Sequence, residues 1–431
     1  MIELLIFLYI LVSIAATIFT KLKLDNYIRL NTLFTYTWTI GGILNLTNFA
    51  GMYRAEYKIH GYIFITLIIF NIGYLLFSEK VEKRKNIKTL SLYFPKRILF
   101  LANLLVILFM LPFFVKAIRI ISVHGFAYLR KFAFVASEEF TSLFEARIMV
   151  WIVAPIVFVS LIIVVIQIIT GNFSMKLSVL VLVNVGLYTF TLGGKMLIVV
   201  AILLFVLMLL INQIYFEPIK KIKLNFIHLT ILGVAVLYLV ITTSKRALSG
   251  LGVIENFVVY NYGGISYFDA ILKSNEYSAS NSELLLGRGV FGIVLTPLIY
   301  IIRHTIRVPL YDSEYITKLI TTYFLPISEN YNFNSHPTAL YIFWRDTNSV
   351  IGIIIGAIFL VMISIFVEKY FNKHHNVLSL SMLLFLFYAF FMTTQKFVLY
   401  EVQSAMNVFF MLLFTTRILE PIEIKLEKIS R

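Results

Sequence analysis

The chain has 431 residues, 60% of them hydrophobic and 14% charged, with a formal net charge of +15 and a mean hydropathy of +0.90. Globular domains are about half apolar and about a quarter charged, because a finite core hides only so much Phe and Leu; this composition excludes an ordinary water-soluble protein. Cysteine is absent, which closes off disulfide frameworks, thiolate zinc sites and cysteine nucleophiles.

A bilayer core needs about 20 apolar residues of helix. Runs of about that length with few or no charges lie at 2–20, 32–50, 61–77, 98–118, 148–170, 177–193, 196–212, 225–242, 349–367, 377–394 and 402–416. They predict an all-α polytopic integral membrane protein of about 11 transmembrane helices, with a long, partly helical external loop between spans 8 and 9. The first run carries Glu3 where a secretory leader would be basic, and its cations Lys21 and Lys23 follow it, so it reads as a retained span with the N-terminus outside. Alternation then makes 21–31, 78–97, 171–176, 213–224, 368–376 and 417–431 cytoplasmic. These stretches hold more than half of the 37 Lys and Arg, as the excess of basic residues in cytoplasmic loops requires. The positive charge therefore reads as topology, with the C-terminus cytoplasmic and no nucleic-acid partner.

Two outer stretches are too long to be simple connectors, 119–147 and 243–348. The second is too aromatic and too poor in Pro and Ser to be disordered, and it is expected to form a cap on a single membrane domain spanning 1–431. Within it, 289–302 is apolar but short and bracketed by Arg288 and Arg303, which suits a re-entrant or interfacial helix. A crossing there would invert the C-terminal topology.

Ionisable residues inside spans are costly and mark function, and the expected spans hold almost none. Asn71, Asn103, Gln167, Asn184 and Asn407 read as neutral contacts between helices. The outer side instead collects Arg119, Arg130, Lys131, Arg147, Lys195, Lys245, Arg246, Arg288, Arg303, Arg307 and Arg345. At headgroup depth, guanidinium groups form paired charge-assisted bonds to phosphate, so this set is suited to a lipid-linked diphosphate. In the long loop, Ser244-Lys245-Arg246, Tyr262-Gly263-Gly264 through Tyr267, Phe268 and Asp269, and Asn332 through His336, Tyr341, Trp344, Arg345 and Asp346 stand out. Aromatic faces beside Asn, Asp and Arg suit sugar binding, and they equally suit a membrane-interface belt. Asp312 and Glu314 are an acidic pair of the kind that holds metal in some glycosyltransferases, but such pairs are common, and no metal or other cofactor is expected. No nucleotide loop or nucleophile elbow is present.

These features resemble the bacterial O-antigen and capsule repeat-unit polymerases (Wzy). The likeness rests on the eleven-span layout with one long late loop, Ser244-Lys245-Arg246 after a span, the Tyr262 to Asp269 segment, Gly287-x-Gly289-x-Phe291, and Asp346 followed by Gly352 and Gly356. Arg345 and Gly356, eleven apart, are similar to a pattern in some of these polymerases. Where related enzymes carry Thr-x-Ser-Arg, this chain has Thr191-Leu192-Gly193-Gly194-Lys195, so a point charge stands for the fork.

The resemblance implies a metal-independent transferase in the bacterial plasma membrane. The growing glycan on undecaprenyl diphosphate is the donor, and a hydroxyl of the next lipid-linked unit is the acceptor. Expected partners are that lipid-linked oligosaccharide, membrane lipids, a chain-length regulator and a flippase. Diphosphate binding falls to Arg246 first, then Arg288, Arg345, Arg147 and Lys195. His336 or Asp346, with Asp269 third, would be the base, and Tyr262, Tyr267 and Trp344 would meet the glycan. A lipid-linked-oligosaccharide flippase and an O-antigen-ligase-like enzyme are the alternatives.

Overall fold

The computed structural model describes residues 1–80, 94–125, 128–129, 140–216, 233, 237, 251–274, 284–307, 324–333, 337–416 and 418. The expected span 225–242 lies almost wholly outside them. Arg246, His336, Asp312 and Glu314 lie outside them as well.

Helix dominates. In chain order the helices are α1 (Ile2–Leu24), α2 (Leu30–Leu46), α3 (Tyr57–Phe77), α4 (Lys96–His124), α5 (Leu143–Ile148), α6 (Ala154–Thr170), α7 (Met175–Thr191), α8 (Met196–Tyr215), α9 (Val253–Tyr262), α10 (Gly264–Lys273), α11 (Gly292–Ile306), α12 (Ala339–Thr347), α13 (Val350–His374), α14 (Val377–Phe391) and α15 (Val402–Thr415). A two-stranded antiparallel ribbon pairs β1 (Leu325–Pro326) with β2 (Asn332–Phe333). Among the described residues, seven helices are long and apolar enough to cross a bilayer, which makes this a multi-pass membrane protein. The expected spans 32–50, 177–193 and 402–416 correspond to the shorter helices α2, α7 and α15. The apolar run after Arg288 forms α11, 15 residues long, or about 22 Å at 1.5 Å per residue, short of the hydrocarbon thickness.

The chain divides into two compact units. Unit 1 comprises 1–82, 247–370 and 386–405; unit 2 comprises 83–246, 371–385 and 406–431.

In unit 1, α1 and α2 run antiparallel and α3 packs on both. Their contacts are threaded with small polar groups. Asn31 donates to Thr20 at 2.8 Å and to Asn71 at 3.0 Å, and Asn71 donates to Thr35 at 2.8 Å. Near the other end Tyr9 and His60 share a 2.9 Å hydrogen bond. With no water in the hydrocarbon, each amide must find such a partner inside the protein.

Two helices run past the expected limits, and the chemistry of the span changes with them. α3 begins at Tyr57 rather than at 61 and so includes His60 in its first turn. α13 continues to His374, which takes Glu368 inside; that carboxylate is 4% exposed and accepts the Tyr74 hydroxyl at 2.5 Å. The expected near-absence of ionisable groups in the spans is therefore corrected at these two helices. A carboxylate need not end a helix when a neighbouring phenol stands ready to bond it.

Unit 1 has two distinct ends. At one, Lys21 and Lys80 flank Asp25 at 2.9 and 3.3 Å, Lys23 donates to the Leu75 carbonyl, and Lys369 meets Glu79 at 3.4 Å. At the other lies the 47–56 connection, and the long segment between spans folds over it. Asn45 donates to Ser266 at 2.8 Å, Ser266 to the Tyr53 carbonyl at 2.8 Å, and the Tyr53 N–H to the Ile327 carbonyl at 2.7 Å. Tyr331 closes the same contact on the Ala50 carbonyl at 2.9 Å.

In unit 2, α6 is buried along nearly its whole length, and α4, α7 and α8 pack on it. Asn184 donates to Asn103 at 3.0 Å, and Asn103 to Ser160 at 2.8 Å. A π-helical turn at Met149–Val153 joins α5 to α6. Pro155 follows at once; its missing N–H leaves the preceding turn without a regular i to i−4 partner, which favours the wider turn.

Candidate functional site

The described candidate residues divide between the units. Asp269, Asp346, Arg288, Arg345, Tyr262, Tyr267 and Trp344 belong to unit 1, whereas Arg147 and Lys195 belong to unit 2. Arg147 is exposed on α5, and Lys195 is half-buried at the N-cap of α8.

Asp346 sits near the end of α12, 2% exposed. Its Oδ1 accepts the Gly289 N–H at 2.9 Å and its Oδ2 the Val290 N–H at 2.8 Å. The backbone repeats the contact: the N–H groups of Leu285 and Leu286 donate to the Arg345 and Asp346 carbonyls at 3.2 and 3.0 Å. Burial pushes the Asp346 carboxyl above its ordinary value, against the opposing pull of the Val290, Gly289 and Gly287 N–H groups and the Arg288 charge. The role of Gly289 follows from the same geometry. A Cβ there would stand 2.8 Å from Ile342 Cγ2 and 3.0 Å from the Asp346 carboxylate, so only glycine lets the turn reach α12. Gly352 does the equivalent for α13, whose backbone presses on the Phe343 carbonyl. The glycines and the aspartate singled out from sequence are thus parts of one clamp that locks the 284–292 turn and α13 onto α12.

Arg345 is 1% exposed and donates from Nη1 to the Asn348 side chain at 3.1 Å. Arg288 turns back on its own segment, with Nε and Nη2 donating to the Leu285 and Leu284 carbonyls, each at 2.7 Å. Both guanidinium groups therefore spend donors on the fold.

Asp269 presents a different environment. It lies on α10, 5% exposed, with Oδ2 on the Lys273 ammonium at 2.7 Å. Its Oδ1 is buried and has no hydrogen-bond partner among the described residues. Lys273 reaches across to Glu56 at 3.2 Å, and Glu56 also meets Lys58 at 3.6 Å. Burial works against the Lys273 charge, but hydrogen bonds to Asp269 and Glu56 outweigh it and raise the ammonium pKa. The Lys273 hydrogen bond in turn holds the Glu56 carboxyl below its ordinary value.

Aromatic rings cluster at the preceding residue of α10. Phe268 contacts Tyr341 edge-on at 5.5 Å, Trp344 at 6.2 Å and Tyr62 in a stacked arrangement at 6.5 Å between centroids. Trp344 is half-buried. The other two candidate glycan contacts are structural in place. Tyr267 is fully buried and meets Phe333 edge-on at 5.5 Å, and the Tyr262 ring fills the space above Gly41 of α2. Burial raises the phenol pKa of both.

The arrangement can therefore offer a buried carboxylate with one oxygen unpaired among the described residues, an ammonium shared between two carboxylates, and a half-buried tryptophan. Among the described residues no group of His, Cys, Asp or Glu is placed to hold a metal ion. Sequence reading named Asp269 but missed Lys273, Glu56, Arg54 and Lys58. Lys273 had a signal, since a residue four positions along a helix shares a face with Asp269. Arg54-Ala-Glu56-Tyr-Lys58 also had one, a charged patch in a connection expected to lie outside. No family model, curated protein or solved structure matches the chain.

Proposed function

We propose that this protein polymerises lipid-linked oligosaccharide repeat units, moving the growing glycan from its polyprenyl diphosphate carrier to a hydroxyl of the next lipid-linked unit. The observation that carries the proposal is Asp269: a buried carboxylate with one oxygen that has no hydrogen-bond partner among the described residues, next in sequence to Phe268, whose ring packs on Tyr341 and Trp344, in a segment folded over one end of a membrane helix group. Glycan transfer from a diphosphate needs little covalent help from the protein. The acceptor hydroxyl must be positioned and deprotonated, and the charge that develops on the leaving diphosphate must be neutralised. Asp269 serves as the base, and the half-buried Trp344 offers its face to the apolar side of a sugar ring. Arg246 remains the first choice for the diphosphate.

This assignment places Asp269 ahead of Asp346, whose two oxygens each already accept a backbone N–H. His336 keeps its place as an alternative base. Lys21, Lys23, Arg29, Lys80 and Lys369 gather at the end of unit 1 away from the Asp269 segment. The basic-inside tendency therefore supports an external position for Asp269 in a bacterial plasma membrane, with the N-terminus outside and the C-terminus cytoplasmic. A flippase and a chain-length regulator are the partners this reading calls for.

A deletion strain separates the readings. Loss of a polymerase leaves glycan chains capped by single repeat units; loss of a ligase leaves unattached polymer; loss of a flippase traps lipid-linked units on the cytoplasmic leaflet. Single units are the expected result, and either other pattern would overturn the proposal.

A further inference from the structure

We infer that the connection between α2 and α3 carries a binding site for the phosphate of a membrane amphiphile, adjoining the Asp269 cluster through Glu56 and independent of the glycan reading. A cleft of about 400 Å³ opens there, lined by Ile2, Leu46, Arg54, Ala55, Glu56, Tyr57 and Lys58. Three features give it the chemistry of a lipid headgroup site.

The first is unmatched positive charge. Arg54, Lys58 and Lys273 stand against Glu56 and Asp269, and ion pairs join the two lysines to the two carboxylates. Arg54 is exposed and makes no hydrogen bond or ion pair among the described residues. A guanidinium fork with all its donors open is the side chain best matched to two phosphate oxygens.

The second is the start of α3. Its N-cap residue, Glu56, makes no side-chain capping bond; the carboxylate is drawn instead to Lys273 and Lys58. The first-turn N–H groups beside Arg54 thus lack a side-chain cap, and in a 21-residue helix they carry the positive end of the macrodipole.

The third is the apolar half of the lining. Ile2 and Leu46 belong to helices α1 and α2 of the spanning group, so the wall leads from the charged mouth toward hydrocarbon. Tyr57 is 52% exposed, in the amphipathic position that aromatic residues take at the membrane boundary. An inorganic ion would use the first two features and leave the third idle. A phosphate carried on an acyl or prenyl chain uses all three.

The test uses the full-length protein in a neutral detergent, with binding followed by native mass spectrometry. The probes are phosphatidylglycerol, a polyprenyl phosphate, diacylglycerol and inorganic phosphate. The expected result is retention of at least one phosphate-bearing lipid, with diacylglycerol failing to bind and millimolar inorganic phosphate failing to displace it. The tighter of the two phospholipid probes identifies the source of the phosphate. Arg54→Gln should weaken retention about tenfold, Arg54→Lys should restore part of it, and Lys80→Gln should leave it unchanged. Lys80→Gln removes the same charge at the opposite end of α3. Arg54 is exposed and makes no hydrogen bond or ion pair among the described residues, so the elution volume and melting temperature of Arg54→Gln should match the parent. Equal weakening by Arg54→Gln and Lys80→Gln, equal binding of diacylglycerol, or ready displacement by inorganic phosphate would each overturn the inference.

Discussion

Asp346 and Asp269 are both buried carboxylates in short helices of the same folded segment, yet their surroundings assign them opposite work. Asp346 gives each oxygen to a backbone N–H of the 284–292 turn. Asp269 gives one oxygen to an ammonium, and the other has no hydrogen-bond partner among the described residues. The first pattern ties a loop to a helix; the second ties one oxygen to a neighbour on the same helix. A buried carboxylate is therefore no guide to chemistry until its lone pairs are accounted for.

The sharpest way to break this contrast is to remove the carboxylates one at a time and watch stability. Asp346→Ala leaves two buried N–H groups without acceptors. Each hydrogen bond to a charged group contributes about 1.5–3 kcal/mol, partly offset by relief of the burial that raises the Asp346 pKa. A net loss of about 2–4 kcal/mol is expected, read as a clear drop in melting temperature in detergent. Asp269→Asn keeps the shape and loses one contact to a Lys273 side chain that is 52% exposed, so its stability should change by less than about 1 kcal/mol. Equal losses in the two variants would erase the distinction.

Gly289→Ala sharpens it from the other side of the clamp. The added methyl meets Ile342 Cγ2 at 2.8 Å and the Ile342 carbonyl at 3.0 Å, and relief must come from moving the turn away from Asp346. A cost of about 1–3 kcal/mol is expected, in the range of overpacked cores. A variant as stable as the parent would mean that the turn is not locked to α12.

The smallest effect concerns Glu56. Its pKa is depressed in the folded protein, chiefly by the Lys273 hydrogen bond. The stabilisation is thus fully present above the unfolded value, about 4.3, and is lost as pH falls through the lower folded value. Because the Glu56 side chain is 47% exposed, solvent screening holds the effect to a few tenths of a kcal/mol. Glu56→Gln should flatten the melting temperature of the parent slightly below about pH 4.3. A large change there would assign Glu56 a deeper role than its exposure allows.

Much of this architecture was legible in the amino-acid sequence, and the parts that were not share a cause. Charge-free hydropathy located the long helices, because a bilayer imposes length and apolarity directly on local sequence. It stopped short at 367 because a carboxylate normally ends an apolar run; the Tyr74 hydroxyl that admits Glu368 is 294 residues away. Asp269 and Asp346 were both nameable as candidates. Their difference was not, because the N–H groups that occupy Asp346 lie 56 and 57 residues upstream. Lys273 could have been found on the helix face of Asp269, whereas its bridge to Glu56 depends on α10 lying over the 47–56 connection. Local pattern gives helices and neighbours four apart; the accounting of lone pairs needs the fold.

The most direct test of the central claim is the purified protein supplied with lipid-linked repeat units, with products resolved by length. The parent should yield a ladder, and Asp269→Asn should lose at least about 100-fold in rate, the range expected for removal of a general base, while melting within a few degrees of the parent. A folded Asp269→Asn variant that still builds the full ladder at the parent rate would contradict the account.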